Sequence, residues 1–491
     1  MRDFFLYNTL GRSVDSFKPI EAGKVGFYGC GPTVYNYAHI GNLRTYIFED
    51  LLVRALRRCD YAVTHVMNIT DVGHLTGDDD SGEDKMVKSA EERGQGVLDI
   101  ARFYTEAFFN DTGRLNIARP DIVCKATDHV GDMITLIGRI EAGGFTYFAG
   151  GNLYFDVSKF PRYGDLALLK LDDLKAGARI EVDANKRNPA DFVLWFTRGK
   201  FEKQALVWDS PWGRGYPGWH IECSAMSMKY LGESIDIHAG GIDHVPIHHT
   251  NEIAQSEAAT GKKWVNWWLH GEFLVLSRDG VKGKMSKSTG AFLTLQSLVD
   301  AGYHPLDYRF FCLGAHYRSQ LQFSIEGLDS ARSARVSLND RVLALRQKAG
   351  ALALPAVADL GPSAASRVGA FLDAVALDLA LPRALAELWG LLRDPAIPPA
   401  EALAAAFDMD RILALGLADL EKPKEATIDP AFAARVDALI KERAVAKKER
   451  DFAKADAIRA EINLLGVALA DSPSGSTWKL APKDGTTAST P

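Results

Sequence analysis

Two lysines in one short segment have the type and spacing needed to bind phosphate groups. Residues 284–288 read Lys-Met-Ser-Lys-Ser and lie between Gly283 and Gly290. Two ammonium groups on a glycine-flanked loop can close over a triphosphate and neutralise the pyrophosphate that leaves. We therefore predict that Lys284 and Lys287 contact phosphates, with an exposed basic loop as the alternative. The segment is not a Walker phosphate-binding loop, because that motif's spacing of glycine and lysine is missing.

A histidine at the start of a predicted helix forms the second group. His39 is followed by Ile40, Gly41 and Asn42. The glycine lets a phosphate approach the backbone N–H groups of the first helical turn, where the helix dipole favours negative charge. His39 can donate a hydrogen bond to the charge that develops on a transferring phosphoryl group. Taken alone, the four residues are more typical of an ordinary helix start.

Two cysteines, a histidine and a glutamate form a candidate metal site. His248 and Glu252 are four residues apart and therefore share one face of a helix, whereas Cys30 and Cys223 lie upstream. Two thiolates, an imidazole and a carboxylate are donors that suit zinc. On spacing alone, however, a buried thiol and an ordinary helical histidine–glutamate pair remain the favoured interpretation.

A glycine pair after another predicted strand is a candidate nucleotide contact. Gly240 and Gly241 follow the apolar residues 235–237, and Asp243 comes two positions later. Two glycines let a flat base or a ribose approach the backbone, and the carboxylate can accept hydrogen bonds from hydroxyl groups. A plain turn is the alternative.

A parallel sheet must position these groups. Residues 24–28 and 61–69 have strand patterns, and helical apolar spacing from Ile40 to Leu56 joins them into a β-α-β unit. Residues 265–269 resume the strand pattern after a predicted helix over residues 251–259. Parallel sheets bind nucleotides at the carboxyl ends of their strands. The sequence therefore predicts an α/β fold with a Rossmann-type catalytic domain in two halves.

The rest of the chain divides by composition. A turn-rich stretch interrupts the catalytic domain as a connective insertion, a stretch rich in alanine and leucine predicts a helical bundle, and alternating charges on helical apolar spacing predict a small C-terminal domain. The last residues lack core-forming side chains and are expected to be disordered. The predicted boundaries are 1–130 and 209–270 for the two catalytic halves, 131–208 for the insertion, 271–330 for the lysine-loop region, 331–425 for the bundle, 426–481 for the C-terminal domain and 482–491 for the tail.

Charge and cysteine usage limit the class of protein. A net charge of −6 argues against non-specific coating of nucleic acid, although local basic patches can still bind it. The cysteines number five, are widely spaced and include no Cys-x-x-Cys, which argues against a disulfide framework. No signal-peptide pattern or membrane-spanning apolar run is evident. We therefore expect a cytoplasmic protein without membrane association, and take a monomer as the working assumption.

Together these motifs resemble the cysteinyl-tRNA synthetase family of class I aminoacyl-tRNA synthetases. The resemblance covers nearly the whole chain, and its segments occur in the order expected for the family. It predicts that the C-terminal domain binds the anticodon. The matching segments are residues 28–35, 217–226, 251–256, 284–288, 450–459 and 471–478.

The resemblance implies a zinc ion that selects the substrate. The implied ligands are Cys30, Cys223, His248 and Glu252. A zinc ion there would bind and deprotonate the thiol of L-cysteine and so reject serine, whose alcohol is a poorer ligand. Such a strong chemical difference makes a separate editing site unnecessary. By the same resemblance, Trp219 walls the cysteine pocket and Thr70 lies beside the substrate.

The implied reaction has two steps and uses no protein nucleophile. Cysteine attacks the α-phosphate of ATP, which arrives with Mg²⁺, to give cysteinyl-adenylate and pyrophosphate, and the cysteine then passes to the 3′ end of tRNA-Cys. Positioning and charge stabilisation carry such catalysis. The expected catalytic residues are His39, Asn42, Lys284 and Lys287. The expected contacts of ATP and the adenylate are Gly41, Gly240, Gly241, Asp243 and Lys287.

Two features depart from the family pattern. Asn42 replaces the usual second histidine, and its amide can donate a hydrogen bond but cannot carry charge. The residues after Asp71 include an acidic segment, residues 78–84, where the commoner family form has an Asp-Asp-Lys run. We assign no function to that segment.

Two alternative functions share the same motifs. A tRNA-independent ligase could join activated cysteine to an amino sugar, but the C-terminal extension argues against it. A non-catalytic, zinc-containing tRNA-binding paralogue would not need the intact lysine segment. If tRNA binds, the basic residues between Lys441 and Arg459 are candidates for phosphate contacts, and Trp478 either stacks on an anticodon base or packs in the core.

Overall fold

The computed structural model describes residues 2–72, 86, 89, 93, 96–169, 184–197, 206–278, 281–284, 293–421, 430–449, 451–472 and 475–480. Lys287, the acidic residues 78–84 and the predicted tail 482–491 lie outside the described residues. Lys284 is described as the last residue of a strand. Within these ranges, no helix is both long and apolar enough to cross a bilayer.

Helices and strands alternate through the first half of the chain. The strands are β1 (Phe5–Asn8), β2 (Ser13–Ser16), β3 (Lys24–Gly29), β4 (Ala62–Ile69), β5 (Ile122–Lys125), β6 (Thr146–Ala149), β7 (Asn152–Phe155), β8 (Phe192–Phe196), β9 (Tyr216–Pro217), β10 (Ile235–Gly241), β11 (Val265–Gly271), β12 (Leu274–Arg278), β13 (Val281–Lys284), β14 (Leu321–Phe323), β15 (Val467–Ser472) and β16 (Gly475–Leu480). The helices are α1 (Ile40–Arg58), α2 (Val97–Arg114), α3 (Val130–Ala142), α4 (Trp219–Leu231), α5 (His248–Thr260), α6 (Leu295–Asp300), α7 (Pro305–Leu313), α8 (Ile325–Ala349), α9 (Pro362–Ala376), α10 (Leu381–Arg393), α11 (Pro399–Leu413), α12 (Pro430–Lys448) and α13 (Phe452–Leu464).

A parallel five-stranded sheet is the centre of the catalytic region. Its strand order is β11-β10-β3-β4-β5, and every neighbouring pair runs parallel. Strand β3 buries Val25, Phe27 and Tyr28, and helix α1 buries Ile40 and Leu43. The sheet confirms the predicted α/β fold, with both β-α-β strands in place. Because β10 and β4 flank β3, the chain reverses its direction of winding there, where ligands of such sheets bind.

Helix α5 begins three residues earlier than predicted. The sequence pattern placed its start at Asn251, whereas the helix runs from His248 to Thr260. Every residue from His248 to Ser256 is buried although most of them are polar, so no apolar face turned away from solvent marks the start of the helix. The earlier start places His248 in the first helical turn, facing the carboxyl edge of the sheet.

Two smaller sheets accompany the parallel one. Strands β6 to β8 lie in the predicted connective insertion and form an antiparallel four-stranded sheet with β9, which lies beyond the predicted end of the insertion at residue 208. Strand β12 pairs antiparallel with β13 and parallel with β14, which places Lys284 opposite Val275. Helices α8 to α11 follow and contribute buried leucines and alanines, as expected for the bundle.

The chain separates into two compact units. The first contains residues 1–298 and 303–418, and the second contains residues 299–302 and 419–491. In the second unit, helices α12 and α13 pack with the hairpin of β15 and β16 around Val436, Ile458, Ile462 and Val467. The finer boundaries predicted within the first unit remain predictions.

Candidate active site

The predicted site residues lie where β3, β4 and β10 end. Cys30 directly follows β3, Thr70 directly follows β4, and Gly241 is the last residue of β10. The Cys30 N–H donates to the carbonyl of Ala239 over 3.1 Å, which extends the pairing of β3 with β10. Three chain segments that are far apart in the sequence therefore meet at one edge of the sheet.

The turn after Cys30 requires a glycine. A Cβ on Gly31 would lie 1.6 Å from the carbonyl oxygen of Asn68, so no other residue fits without moving β4. The Gly31 N–H donates to Asn68 Oδ1 over 2.7 Å. Thr70 N–H donates to Pro32 and Val34 N–H donates to Thr70, over 3.1 and 3.2 Å. The turn is thus fastened to the end of β4 and fixes Cys30 beside Thr70.

Four buried side chains converge beside Cys30. The potential ligand atoms of Cys30, His248, His249 and Glu252 all lie within 4.8 Å of one another. Cys30 Sγ is 3.3 Å from His249 Nε2, and His248 Nε2 is 2.6 Å from Glu252 Oε1. The Cβ–Cβ spacing of positions four apart on a helix explains the second contact. Three of the four predicted metal ligands therefore lie together, with His249 as an unpredicted neighbour.

Cys223 adjoins this group from helix α4. Its thiol is hydrogen bonded to Cys30 and to His248. The bond from Cys30 lowers the pKa of Cys223 to about 6, and His248 lowers it further, although burial opposes both. Burial raises the pKa of Cys30 well above its usual range. The Cys30 and Cys223 thiols therefore lie together in the same buried space.

Three further histidines lie within hydrogen-bonding distance of residues in this cluster. They are His220, His238 and His270, all of them buried. The ring nitrogen distances are 2.9 Å from His220 Nδ1 to His248 Nδ1 and 2.7 Å from His249 Nδ1 to His270 Nε2; His238 Nε2 is 2.7 Å from Glu252 Oε2. Burial keeps the pKa of His249 and of His270 well below the usual value, so both rings are neutral.

The donor set fits a zinc ion. Sulfur, nitrogen and oxygen atoms converge in a buried space, as in protein zinc sites. Burial raises the pKa of Glu252, but the charges of His248 and His238 outweigh it and lower that pKa to about 2. Burial lowers the pKa of His248, but Glu252 and Cys223 outweigh it and raise that pKa to about 10. A metal ion would have to displace the His248 proton, because carboxylate, thiolate and neutral imidazole are the protonation states that bind metal. The hydrogen bonds from outside the group orient these rings as metal-ligating histidines require.

Trp219 and Thr70 line the same edge. The Trp219 ring centroid is 4.3 Å from that of His248. Thr70 Oγ1 donates over 2.9 Å to Oε2 of Glu222, the residue directly before Cys223. Both predicted substrate contacts therefore lie beside the candidate metal centre. Glu222 is buried and was not predicted, because nothing in the sequence distinguishes it from a surface glutamate on an amphipathic helix.

His39 and Asn42 bond to each other at the start of α1. His39 Nδ1 accepts from the Asn42 backbone N–H over 3.0 Å, and Asn42 Oδ1 accepts from the His39 backbone N–H over 3.2 Å. This reciprocal pair is a capping box. Because Nδ1 accepts, the neutral ring carries its proton on Nε2, which makes Nε2 a hydrogen-bond donor. A Cβ on Gly41 would crowd the His39 ring at 3.0 Å.

The glycines after β10 also lie at this edge. A Cβ on Gly240 would lie 2.7 Å from His244 Nδ1, and one on Gly241 would lie 2.4 Å from Asp243 Oδ1. Asp243 is exposed at the carboxyl end of β10. Neighbouring side chains therefore leave no room for a Cβ at either glycine, and the predicted nucleotide contact stays a prediction.

Contacts within the second unit bear on the predicted tRNA contacts, which were Trp478 and the basic residues between Lys441 and Arg459. Trp478 Nε1 donates to Asp437 Oδ1 over 2.8 Å, and the ring packs beside Phe432. Packing in the core is therefore one role of Trp478. Arg443 is only 4% exposed, so it is a poor candidate for a phosphate contact. Lys454 pairs with Glu442 over 3.0 Å at the surface.

Family comparisons cover both units. Residues 16–333 match the family described as tRNA synthetases class I (C) catalytic domain, and residues 429–478 match the cysteinyl-tRNA ligase anticodon binding domain. The cysteine–tRNA ligase of Treponema denticola is 58% identical over 496 residues, covering 96% of this chain and 99% of that protein. Cysteine–tRNA ligase 1 of Burkholderia lata is 48% identical over 471 residues, covering 96% and 95%.

Solved structures share the fold at low identity. The methionyl-tRNA synthetase of Mycobacterium tuberculosis in complex with methionyl-adenylate has a TM-score of 0.53 and 17% identity, covering 80% of this chain and 90% of that chain. The Agrobacterium radiobacter K84 agnB2 LeuRS in its ternary complex with tRNA and LeuAMS has a TM-score of 0.54 and 11% identity, covering 83% and 86%. At these identities the likeness concerns the fold alone.

Proposed function

The chain belongs to the cysteinyl-tRNA synthetase family of class I aminoacyl-tRNA synthetases, and on that premise we propose how its residues perform cysteine–tRNA ligation. It is an ATP-dependent ligase that activates L-cysteine and transfers it to the 3′ end of tRNA-Cys. The observation that carries the residue assignment is the convergence of Cys30, His248 and Glu252 within 4.8 Å at the sheet edge that also begins α1. The five cysteines are free and buried, which supports a cytoplasmic location.

We assign Cys30, Cys223, His248 and Glu252 as ligands of one zinc ion. When bound, zinc supplies a Lewis acid that accepts the substrate thiol as a further ligand and lowers its pKa. Cys223 is preferred to His249 as the fourth ligand because the family resemblance implies it and its thiol is bonded to Cys30 and His248. His249, whose Nε2 is 3.3 Å from Cys30 Sγ, is the alternative fourth ligand. Trp219 closes one side of the pocket, and Thr70 borders the other.

Adenylate formation takes place in front of helix α1. The cysteine carboxylate attacks the α-phosphorus of ATP, the bond to the bridging oxygen breaks, and pyrophosphate leaves. His39 Nε2–H donates to the α-phosphate as its charge shifts, and the first-turn N–H groups near Gly41 face the same negative charge. Asn42 holds the His39 ring through the capping box and acts by positioning it.

We place the nucleotide beside β10, on the opposite side of β3 from β4. Gly240 and Gly241 let the adenosine approach the backbone after β10, and Asp243 accepts from its ribose hydroxyls. Lys284 and Lys287 neutralise the β- and γ-phosphates, together with Mg²⁺ that arrives with ATP. In the second step a 3′-terminal ribose hydroxyl attacks the cysteinyl carbonyl, AMP leaves and the hydroxyl proton is lost.

A tRNA-independent ligase is the second candidate, with less support. It would use the same activation site, but the match of residues 429–478 to an anticodon binding domain favours a tRNA substrate. A non-catalytic paralogue is disfavoured by the intact lysine segment, residues 284–288, which such a protein would not need.

Two coupled assays test the proposal. Cysteine-dependent exchange of pyrophosphate into ATP reports activation, and charging of a tRNA-Cys transcript reports transfer. We expect both activities, with no exchange supported by serine. Exchange without charging would favour the tRNA-independent ligase, and no exchange would contradict both enzymatic functions.

A further inference from the structure

Two aromatic side chains are exposed immediately beside the proposed phosphate site. Tyr37 is 40% exposed and stands two residues before His39; Phe103, on helix α2, is 42% exposed. Their ring centroids are 6.0 Å apart with planes at 76°. Single exposed aromatic residues are common on protein surfaces, but two in contact at the mouth of a site are a candidate binding surface.

The Tyr37 and Phe103 rings both pack against one buried tyrosine, Tyr104. Tyr37 packs edge-on against Tyr104 with 5.2 Å between centroids, and Phe103 packs on the same ring at 5.1 Å. Tyr104 is 2% exposed and belongs to an apolar cluster with Ile69, the last residue of β4. The two exposed rings are thus held in fixed orientations next to the end of β4, beside Thr70.

A positive charge accompanies the rings. The Arg93 guanidinium carbon lies 5.5 Å from the Phe103 ring centroid and 5.0 Å from that of Tyr104. Aromatic faces together with arginine are the features by which proteins bind single-stranded nucleic acid: bases stack on rings and cations face the phosphates. We name Tyr37 and Phe103, with Arg93 behind them, the aromatic platform.

We propose that the aromatic platform binds the unpaired 3′ nucleotides of the tRNA by stacking, an inference that rests on the proposed transfer step. The reacting hydroxyl must reach an adenylate held in front of His39, and the Cα atom of Tyr37 is at most about 7 Å from that of His39. The nucleotides just before that hydroxyl therefore pass the platform. The adenine of ATP is a less suitable occupant, because its proposed contacts follow β10, on the opposite side of β3 from the platform.

Substitutions of Tyr37 test the stacking role. Tyr37→Leu keeps apolar volume over Tyr104 but removes the flat face, and Tyr37→Phe keeps the face. We expect Tyr37→Leu to weaken binding of full-length tRNA-Cys about tenfold, within the range for one lost base stack, while Tyr37→Phe behaves like the parent chain. Phe5→Ala is the matched control, because the Phe5 ring is exposed to a similar extent, 42% against 40% for Tyr37, but lies on β1.

A truncated tRNA separates stacking from other effects. Binding is measured by competition, using full-length tRNA-Cys and a transcript that lacks its unpaired 3′ nucleotides. The platform predicts that Tyr37→Leu weakens only the full-length tRNA and leaves the KM for ATP in cysteine-dependent exchange unchanged. Equal weakening of both transcripts, no weakening of either, or a raised KM for ATP would overturn it. Loss of exchange in the parent chain would instead contradict the proposed function.

Discussion

The Arg44 guanidinium donates to the backbone carbonyl of Phe273 over 2.6 Å. The same buried side chain donates to the carbonyls of Glu272 and Ser319, over 2.7 and 2.6 Å. Phe273 directly precedes β12, and Ser319 shortly precedes β14. Arg44 therefore joins helix α1, which begins after His39, to the starts of two paired strands, one of which also pairs with the strand that ends at Lys284.

Arg44→Lys is expected to slow adenylate formation. A lysine ammonium cannot reproduce the planar fork that reaches both strand starts, so the relative positions of His39 and Lys284 should loosen. Small displacements of catalytic groups reduce rates strongly, and we expect a loss of about tenfold to a hundredfold in the exchange rate. The KM for cysteine should change little, because Arg44 lies outside the thiol pocket.

Arg58→Lys is the matched control for Arg44. Arg58 lies on the same helix and pairs with buried Asp408, but far from the site. Thermal unfolding of both variants measures any general loss of stability. If both variants lose stability equally and neither loses exchange rate, Arg44 is a structural arginine only.

Cys223→Ser is expected to reduce zinc content and amino-acid selectivity together. The serine hydroxyl is a poor replacement for a thiolate ligand, so the site should lose metal and with it the preference for cysteine over serine. Metal analysis and the ratio of exchange rates with the two amino acids measure these effects. Cys59→Ser is the control, since Cys59 is also buried but caps the far end of α1. Unchanged zinc and unchanged selectivity in Cys223→Ser would show that this thiol is no ligand.

Asn42→Ala is expected to act through His39. Loss of the Asn42 side chain removes its bond with the His39 N–H and should cost about 1 kcal/mol of stability, as for other lost helix caps. The exchange rate should fall while the KM for cysteine stays near its original value. Asn42→Gln restores a capping-box side chain and should recover most of the rate. Failure of that rescue, with normal stability, would indicate that Asn42 contacts substrate directly.

His65 is expected to make the fold sensitive to mild acid. Burial lowers the pKa of His65 from 6.5 to about 4. Below pH 6.5 the unfolded chain binds a proton at this ring that the folded chain excludes, so stability present above that pH is lost as pH falls toward 4. The full loss is about 3 kcal/mol for one such ring.

His65→Phe measures this contribution. The variant lacks the titrating ring but keeps an aromatic group against Phe27. The difference in unfolding free energy between the parent chain and the variant should fall between pH 6.5 and 4 and stay constant between pH 7.5 and 8.5. A difference that is independent of pH throughout would contradict the depressed pKa.

The sheet and its edge were predictable because local patterns decide them. The spacing of apolar residues predicts strand β4 and helix α1, and the glycine-rich turn at Gly31 separates α1 from strand β3. The parallel topology then places Cys30 and Thr70 at one edge of the sheet. The ligand set needed the family resemblance, since no spacing links Cys30 to Glu252 across more than two hundred residues.

Other parts of the site depend on contacts that no local pattern encodes. His249 appears in the sequence as a neighbour of His248, but only the packing of α5 on β10 and β11 brings its ring to Cys30. Arg44 occupies an ordinary helical position, and its acceptors are backbone carbonyls, which have no sequence signature. Arg443 was predicted as a phosphate contact because of its charge, yet it is buried.

X-ray absorption at the zinc K edge of the purified chain tests whether a buried zinc centre selects the substrate by its thiol. We expect zinc with sulfur ligands from Cys30 and Cys223, and an added sulfur contribution when L-cysteine is supplied but not when L-serine is supplied. A shell with one protein sulfur would favour His249 in place of Cys223. Absence of zinc, or a sulfur contribution that L-cysteine does not change, would show that zinc does not select the substrate thiol.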